Sequence, residues 1–491
     1  MGTYVLSIDQ STQGTKALLF DEKATLIRRV DLPHRQIINE LGYVSHDPEE
    51  IYRNTLQVAM HLVAQAGIGK EEIVGVGISN QRETAVVWEK ATGKPVADAI
   101  VWQCSRSSDI CRQIEKKINP EKIREKTGLV LSPYFPASKF SWFLEYVKGL
   151  RERADQNELC FGTIDSWLIY RLTNGKSYKT DYSNASRTQL FNLTNLEWDE
   201  ELCSLFGMKR EWLAKVEDSN ANFGMTDLGG FLERAIPIHG VLGDSHGALF
   251  GQGCLERGMT KATYGTGSSI MMNIGEKPVF STHGVVTSLA WRMNGKVNYI
   301  LEGNINYTGA VISWLKENFR MIDSPVEAEE LARMADQQDM VYLVPAFTGL
   351  GAPYWDSQAT AGITGMTRTT GKAEIVRAAL DCIAYQITDV VKAMCEDVGN
   401  PIKELRVDGG PTRNEYLMQF QSDIMETPVR VPEIEELSGT GAAYMTGLAM
   451  GIYQNNIFKK MKTRQYTPEM EKAISARKYQ GWKTAVKRTL S

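Results

Sequence analysis

The sequence predicts an α/β protein made of two related domains that face each other across a cleft. Short β-rich runs alternate along the chain with amphipathic helical stretches, a pattern typical of α/β layers. Residues 5–20 form a predicted β-hairpin with a turn rich in Gly, Ser and Thr, and residues 261–273 form a second one. One such hairpin in each half of a 491-residue chain indicates two domains of comparable size.

The individual elements and the domain boundary follow from local patterns. Predicted strands cover residues 4–8, 16–20, 73–78, 85–88, 240–242, 269–273, 341–344 and 405–407. Predicted helices cover residues 48–65, 110–117, 139–146, 312–318, 372–396 and 414–425. Glycines and a cluster of charges interrupt the pattern at residues 251–258. We therefore expect domains at residues 1–252 and 253–491.

The composition is that of a globular protein without a strong electrostatic bias. Lys plus Arg total 55 and Asp plus Glu total 59, so the formal net charge is −4. There is no excess of cations for a phosphate backbone, which argues against a nucleic-acid partner. Apolar residues make up 43% of the chain and charged residues 23%, a balance that argues against extensive disorder.

We expect a cytoplasmic protein with no membrane partner. The N-terminus enters a strand-like run without the basic and apolar regions of a signal peptide. No apolar stretch approaches the roughly 20 residues that a membrane helix needs. The seven cysteines are scattered without a CxxC pair, and the six histidines are dispersed without an HExxH motif. This pattern predicts a reducing compartment and neither a disulfide framework nor a zinc site.

The turn of the first hairpin is a candidate phosphate site. Its backbone N–H groups and the hydroxyls of Ser11, Thr12 and Thr15 are donors, and Lys16 adds a positive charge. Asp9 ends the first strand and could hold Mg²⁺, directly or through water, because hard cations prefer oxygen ligands. A hydroxyl-rich hairpin with Asp9 as an ordinary turn residue explains the same pattern without a ligand.

Two further glycine-rich turns extend this interpretation. In the second hairpin Thr266 lies between two glycines, and Gly409 and Gly410 separate a predicted strand from a helix that begins near Asn414. Glycines let a ligand approach the backbone, and a helix N-terminus favours an anion. A plain loop of an αβ unit is the alternative for the last turn. The chain has neither GxxxxGK[ST] nor GxGxxG, so a nucleotide site here would lack both common fingerprints.

Residues 243–247 match G-x-S-x-G, the nucleophile elbow of α/β-hydrolases. That mechanism needs an acid and then a distant histidine, but His283 is the only histidine after His246, and no Asp lies between Ser245 and His283. The motif alone therefore supports a serine hydrolase weakly. Asp244 has two other interpretations, as a general base at a strand end and as a cap of the following helix.

Polar residues at 80–84, which include Arg82 and Glu83, follow a strand predicted to be buried and suit the recognition of hydroxyl groups. Trp102 and Tyr134 lie near polar loops, as aromatic residues do in sugar sites, although each of them taken singly is more often a core residue.

Together these motifs resemble the FGGY family of carbohydrate kinases in the actin–hexokinase superfamily, and within it the glycerol kinase branch. The resemblance runs from Ile8 to about Lys487. It is carried by residues 77–84, 100–104, 161–168, 181–188, 264–267, 344–356 and 406–410.

The resemblance implies two actin-like (ribonuclease H-like) ATPase domains that close on ATP, Mg²⁺ and a polyol or sugar. The first domain would bind the polyol and the second the nucleotide. Asp244 would be the catalytic base, Asp9 would organise Mg²⁺, and Arg82, Glu83, Trp102 and Tyr134 would bind the polyol. The expected nucleotide-binding residues are Ser11, Thr12, Lys16, Thr266, Gly309, Gly409, Gly410 and Asn414. A homodimer or homotetramer is expected.

Three departures from the glycerol kinase pattern fall at the polyol pocket. Ser245 stands where those enzymes have Gln, Ser269 stands where they have Phe, and the segment around Asn306 is more polar. A wider and more polar pocket suits a substrate with more hydroxyls. We therefore expect a four- or five-carbon polyol or ketose as the substrate, with glycerol as the alternative.

A non-catalytic sugar sensor of the same fold is a further alternative, although the presence of both Asp9 and Asp244 argues against it.

Overall fold

The computed structural model describes residues 2–491, and its first half contains a mixed sheet, a smaller antiparallel sheet and their covering helices. Its strands are β1 (Tyr4–Gln10), β2 (Gly14–Phe20), β3 (Leu26–Pro33), β4 (Gln36–Ile38), β5 (Val44–His46), β6 (Ile73–Asn80), β7 (Ala85–Glu89), β8 (Ala99–Ile100), β9 (Leu159–Thr163), β10 (Lys179–Asp181), β11 (Phe191–Asn192), β12 (Glu197–Trp198), β13 (Lys215–Glu217), β14 (Gly224–Thr226) and β15 (Ile236–Gly243). Its helices are α1 (Pro48–Ala66), α2 (Ser108–Glu115), α3 (Pro120–Thr127), α4 (Pro136–Tyr146), α5 (Leu150–Asp155), α6 (Ile164–Leu172), α7 (Tyr182–Ala185), α8 (Glu200–Leu205) and α9 (Asp244–Gly251).

The second half is built around another mixed sheet. Its strands are β16 (Thr260–Tyr264), β17 (Ser268–Gly275), β18 (Val286–Met293), β19 (Lys296–Ile305), β20 (Tyr342–Val344), β21 (Gly362–Thr364), β22 (Leu405–Asp408), β23 (Val429–Pro432) and β24 (Thr463–Tyr466). Its helices are α10 (Gly309–Glu317), α11 (Pro325–Met334), α12 (Lys372–Val398), α13 (Glu415–Met425), α14 (Leu437–Ala449) and α15 (Lys472–Thr489).

The two main sheets share one strand order, which confirms the fold class predicted from the paired hairpins. In the first sheet, hairpin β1–β2 continues to antiparallel β3 on one side and to parallel β6 and β15 on the other. In the second sheet, hairpin β16–β17 continues to antiparallel β19 on one side and to parallel β22 and β23 on the other. The exact division between residues 252 and 253 stays a prediction.

The central strands are apolar on both faces because helices cover the sheets from both sides. In β1, Val5, Leu6 and Ile8 are all fully buried.

Helix α1 is an example of how the sequence specifies the helices that cover the sheets. Asp47 caps its N-terminus by accepting a hydrogen bond from the Glu49 backbone N–H, and its apolar residues recur with a helical period.

Helices α9 and α14 cross at the junction of the two halves. A Cβ on Gly441 would stand 1.9 Å from the carbonyl oxygen of Gly247, so the two backbones are in direct contact. Helix α14 also packs on β1, β6 and β15 of the first sheet, where the Ser7 hydroxyl donates to the Gly439 carbonyl at 2.7 Å. Residues near the C-terminus therefore complete the core of the first half.

The predicted elements are confirmed, with shifted ends. The largest difference is the strand predicted at residues 240–242, which extends over Ile236–Gly243. Pro237, His239 and Gly240 have low strand propensity and obscure its first half, although pairing with β6 overrides that preference. No helix among residues 2–491 is long and apolar enough to cross a membrane.

Candidate active site

Three parallel strands bring the candidate residues of the first half to one edge of the sheet. The register pairs Asp9 with Ser79 and Asn80 with Gly243 across β1, β6 and β15. Asp9, the turn that follows Asn80, and Asp244 at the start of α9 therefore emerge side by side. Ligands of open α/β sheets bind at such carboxyl ends of the strands.

Asp9 offers one buried carboxylate oxygen without a hydrogen-bond partner, Oδ1. Burial raises the pKa of Asp9 to about 6, while Lys16, whose Nζ lies 4.0 Å from Oδ2, opposes that shift. An unpartnered carboxylate oxygen fits a hard cation. No cluster of three or more His, Cys, Asp and Glu side chains suited to a metal occurs among the described residues. Mg²⁺ at Asp9 would therefore depend on phosphate and water oxygens, which is usual for this ion.

Lys16 connects the first hairpin to the segment that precedes α14. Its Nζ lies 2.6 Å from Glu436 Oε2, and Arg29 pairs with the other oxygen of the same carboxylate. Glu436 thus holds two cations from the first half at the junction with the second.

Asp244 lies at the edge of a buried network of charges. Arg82 Nε donates to Asp244 Oδ1 at 3.1 Å, and Arg82 Nη1 and Nη2 donate to the two oxygens of Glu302 at 3.0 and 2.8 Å. Arg187 Nη1 also lies 2.8 Å from Glu302, and Arg187 Nε donates to Glu83 at 2.6 Å. Burial alone would raise the pKa of Glu302, but Arg187 and Arg82 outweigh it and hold this pKa well below its usual range.

Sequence reasoning did not assign roles to Glu302 and Arg187. The sequence does carry a signal for Glu302, which is a lone carboxylate directly after the apolar run of residues 299–301. The structure shows that its side chain is fully buried. A fully buried Glu is rare unless it is paired. Nothing local identifies its partners, because Arg82 and Arg187 lie in the other half of the chain.

The aromatic residues assigned to the polyol lie next to the first hairpin. The rings of Trp102 and Tyr134 are 5.5 Å apart, and Trp102 Nε1 donates to Thr12 Oγ1 at 2.9 Å. Burial, with Glu83 nearby, raises the pKa of Tyr134 well above its usual value, so its hydroxyl stays protonated. The predicted polyol and phosphate residues are therefore neighbours.

The two serines that depart from the family pattern both face the Arg82–Glu302 pair. Ser245 Oγ accepts from Arg82 Nη2 at 3.3 Å, and Ser269 Oγ donates to Glu302 Oε1 at 3.4 Å. Asn306 lines a hollow of the second half, together with Tyr354 and Gln386. The structure thus brings Ser245 and Ser269 together at one ion pair, and a role for Asn306 stays a prediction.

The candidate nucleotide residues of the second half also converge. The Gly309 N–H donates to the Gly265 carbonyl at 3.0 Å, and the neighbouring Ala310 N–H donates to the Thr266 carbonyl. Gly409 has φ +99°, and a Cβ there would stand 2.0 Å from the Tyr264 carbonyl oxygen. Nothing lies within 4 Å of a Cβ on Gly410, whose backbone is open, and Asn414 caps α13.

The geometry gives the hydrolase interpretation no catalytic triad. Ser245 Oγ has Arg82 as its hydrogen-bond partner, and no histidine bonds to it among residues 2–491. His246 is fully buried, and neither of its ring nitrogens has a partner.

Comparison with known proteins identifies the class. Residues 4–251 match the N-terminal domain of the FGGY family of carbohydrate kinases, and residues 260–450 match the C-terminal domain. The chain belongs to this family and is a phosphotransferase.

Its similar relatives include glycerol kinases. The chain is 49% identical to glycerol kinase 1 of Thermotoga maritima, covering 99% of this chain and 100% of that protein. It is 46% identical to glycerol kinase of Bacillus cytotoxicus, covering 100% and 99%. The crystal structure of Plasmodium falciparum glycerol kinase with ADP matches with a TM-score of 0.93 and 36% identity, covering 100% and 99%. Gluconate kinase of Lactobacillus acidophilus, 20% identical with a TM-score of 0.89 and covering 99% and 98%, shares the fold.

Proposed function

We propose that this kinase transfers the γ-phosphoryl group of ATP to a terminal hydroxyl of a small polyol, with Asp244 as the general base. The position of Asp244 supports this role, since its side chain is one-third exposed at the strand edge that Asp9 shares. Arg82 and the Ser245 backbone N–H both donate to Asp244 Oδ1, at 3.1 and 2.6 Å. Neither bond uses Oδ2, so this oxygen can take the proton of the attacking hydroxyl.

The remaining residues position the two substrates. Glu83, Trp102 and Tyr134 would orient the polyol hydroxyls, while the turns around Thr12 and Thr266 would surround the phosphates. Mg²⁺ at Asp9, when bound, would neutralise charge on the phosphates. Closure of the two halves would exclude water, which otherwise competes as acceptor.

We further propose a substrate larger than glycerol, a four- or five-carbon polyol or ketose. The observation that carries this proposal is the pair of serine hydroxyls, Ser245 and Ser269, at the Arg82–Glu302 pair. Relative to the Gln and Phe of the glycerol kinase pattern, both residues remove volume and present a hydroxyl, so they favour a substrate with an additional polar carbon.

The test is the ratio kcat/KM for glycerol, erythritol, threitol, xylitol and pentuloses, measured with ATP and Mg²⁺. We expect a four- or five-carbon substrate to exceed glycerol by at least tenfold. A clear preference for glycerol would contradict the larger substrate and support the second candidate, a glycerol kinase, which the names of the relatives at 45–49% identity favour. No ATP consumption with any acceptor would instead favour a sugar sensor.

A cytoplasmic homodimer or homotetramer also remains our proposal. Sedimentation of the purified chain and fractionation of its host cells would test these two properties.

A further inference from the structure

Lys139 lies on α4 and is fully buried, although it bears an amine that is normally charged. Its Nζ donates to the main-chain carbonyl of Glu83 at 2.9 Å and to that of Trp102 at 3.5 Å. It also donates to the main-chain carbonyl of Tyr134. An ammonium group has three N–H donors and no acceptor, so these three carbonyls match its full capacity.

The three carbonyls belong to three separate irregular segments. Glu83 lies in the turn after β6, Trp102 lies in the loop after β8, and Tyr134 lies in the loop before α4. Irregular segments lack a sheet or helix ladder to satisfy buried carbonyls. The Lys139 ammonium therefore supplies donors that the local backbone does not, and it ties the three segments to one point.

These three residues are among the four, with Arg82, that are assigned to polyol binding. Their side chains are also oriented by other contacts, since Arg187 holds the Glu83 carboxylate and Thr12 accepts from the Trp102 indole. Glu83 has φ +59°, a left-handed conformation that costs energy for a residue with a side chain. Lys139 bonds to the carbonyl of this strained residue.

We propose that Lys139 is a positioning residue that fixes the backbone of Glu83, Trp102 and Tyr134 in the geometry that binds the polyol, without touching the substrate itself. This inference rests on the proposed polyol site. Burial lowers the pKa of Lys139 to about 7, against the opposing effect of the Glu83 carboxylate. Keeping such a group buried is costly, and the three carbonyl bonds offset that cost.

The test is Lys139→Met, which keeps the length and apolar body of the side chain and removes every donor. We expect the KM for the polyol to rise at least tenfold while the KM for ATP changes less than twofold. Lys139→Gln, which restores part of the donor capacity, should recover part of the polyol affinity. Calorimetric binding of Mg²⁺·ATP to Lys139→Met should match the wild type, which shows that the nucleotide half is intact.

Ser141→Ala is the matched control, because Ser141 lies on the same helix, is buried and donates to the Phe206 carbonyl at 2.7 Å, away from the polyol residues. It should lower Tm without changing either KM. An unchanged polyol KM in both Lys139 variants, or an equal rise in both KM values, would overturn the positioning role. If Lys139→Met does not fold, Lys139→Gln alone tests the proposal, by the rise in its polyol KM relative to the rise in its ATP KM. Absence of polyol phosphorylation by the wild type would instead refute the proposed function.

Discussion

Arg82 and Glu302 form a bidentate ion pair that joins the two halves of the chain inside the protein. Arg82 belongs to the turn after β6, Glu302 belongs to β19, and neither side chain is more than 5% exposed. Because Arg82 also holds Asp244, the orientation of the proposed base depends on a carboxylate that the other half supplies. The pair therefore couples the assembly of the two halves to the geometry of the site.

Glu302→Ala should lower the free energy of unfolding by about 3–5 kcal/mol, because it leaves Arg82 and Arg187 buried without their shared partner. Urea denaturation checks this value. Asp109→Ala, which breaks the exposed Arg112–Asp109 pair, is the control and should change stability little. If both variants lower the free energy of unfolding by the same small amount, the buried network does not stabilise the fold as a unit.

Asp244→Asn should fold and bind ATP normally but lose kcat by about three orders of magnitude or more, because an amide cannot accept the hydroxyl proton. Rapid-quench assays of phosphoryl transfer check the loss, and ATP binding by calorimetry checks the fold. Asp109→Ala, which removes an exposed carboxylate on α2, is the control and should keep normal activity. A near-normal kcat in Asp244→Asn would contradict its role as base.

Ser245→Gln combined with Ser269→Phe should restore the glycerol kinase pattern at the pocket. The added volume should lower kcat/KM for four- and five-carbon substrates and raise it for glycerol, so their ratio changes by at least tenfold. The same assay on Thr92→Phe is the control, since Thr92 is exposed in the turn after β7. A ratio unchanged by the double variant would show that these serines do not set specificity.

The polyol KM should rise as the pH increases through about 7, because burial lowers the pKa of Lys139 to about 7 and the side chain loses its proton across that range. A neutral amine has two N–H donors for three carbonyls, so deprotonation releases one segment of the polyol site. The charged and titratable groups that face Lys139 are Glu83, Cys104, Cys111 and Arg106, and burial raises the pKa of Cys111 to about 11, outside this range. Lys139→Met should have a high polyol KM that is flat across pH 6–9; a wild-type KM that is equally flat would contradict the prediction.

Gly441→Ala should lower Tm, although Gly→Ala in an open helix interior normally stabilises by about 1 kcal/mol. The new Cβ would stand 1.9 Å from the Gly247 carbonyl oxygen, so α9 and α14 would have to separate. Thermal unfolding followed by circular dichroism measures the change. An unchanged or higher Tm would show that α9 and α14 can move apart without loss of stability.

The sequence predicts the parts of the site that are encoded locally. Asp9, Gly409 and Asp244 each lie at or just after the end of a strand. A strand followed by a glycine-rich or acidic turn can be recognised from a few consecutive residues, and so can the two hairpins. The fold class follows from the same repeats.

The parts that depend on tertiary contacts could not be predicted. Glu302 meets Arg82 and Arg187 across the whole fold, and Lys139 bonds to carbonyls, which carry no side-chain signature. Asn306 lines a hollow with Pro345 and Tyr354, and the residue pattern around position 306 does not specify these neighbours.

The packing of α14 on the first sheet has a consequence for biosynthesis. When a ribosome has released residues 1–252, β1, β6 and β15 already exist in the nascent chain, but the face that α14 covers is still bare. That apolar face stays uncovered until the helix beginning at Leu437 has been translated. Non-local closure of this kind slows folding and leaves intermediates open to aggregation, so the first half of this kinase matures only after α14 has been synthesised.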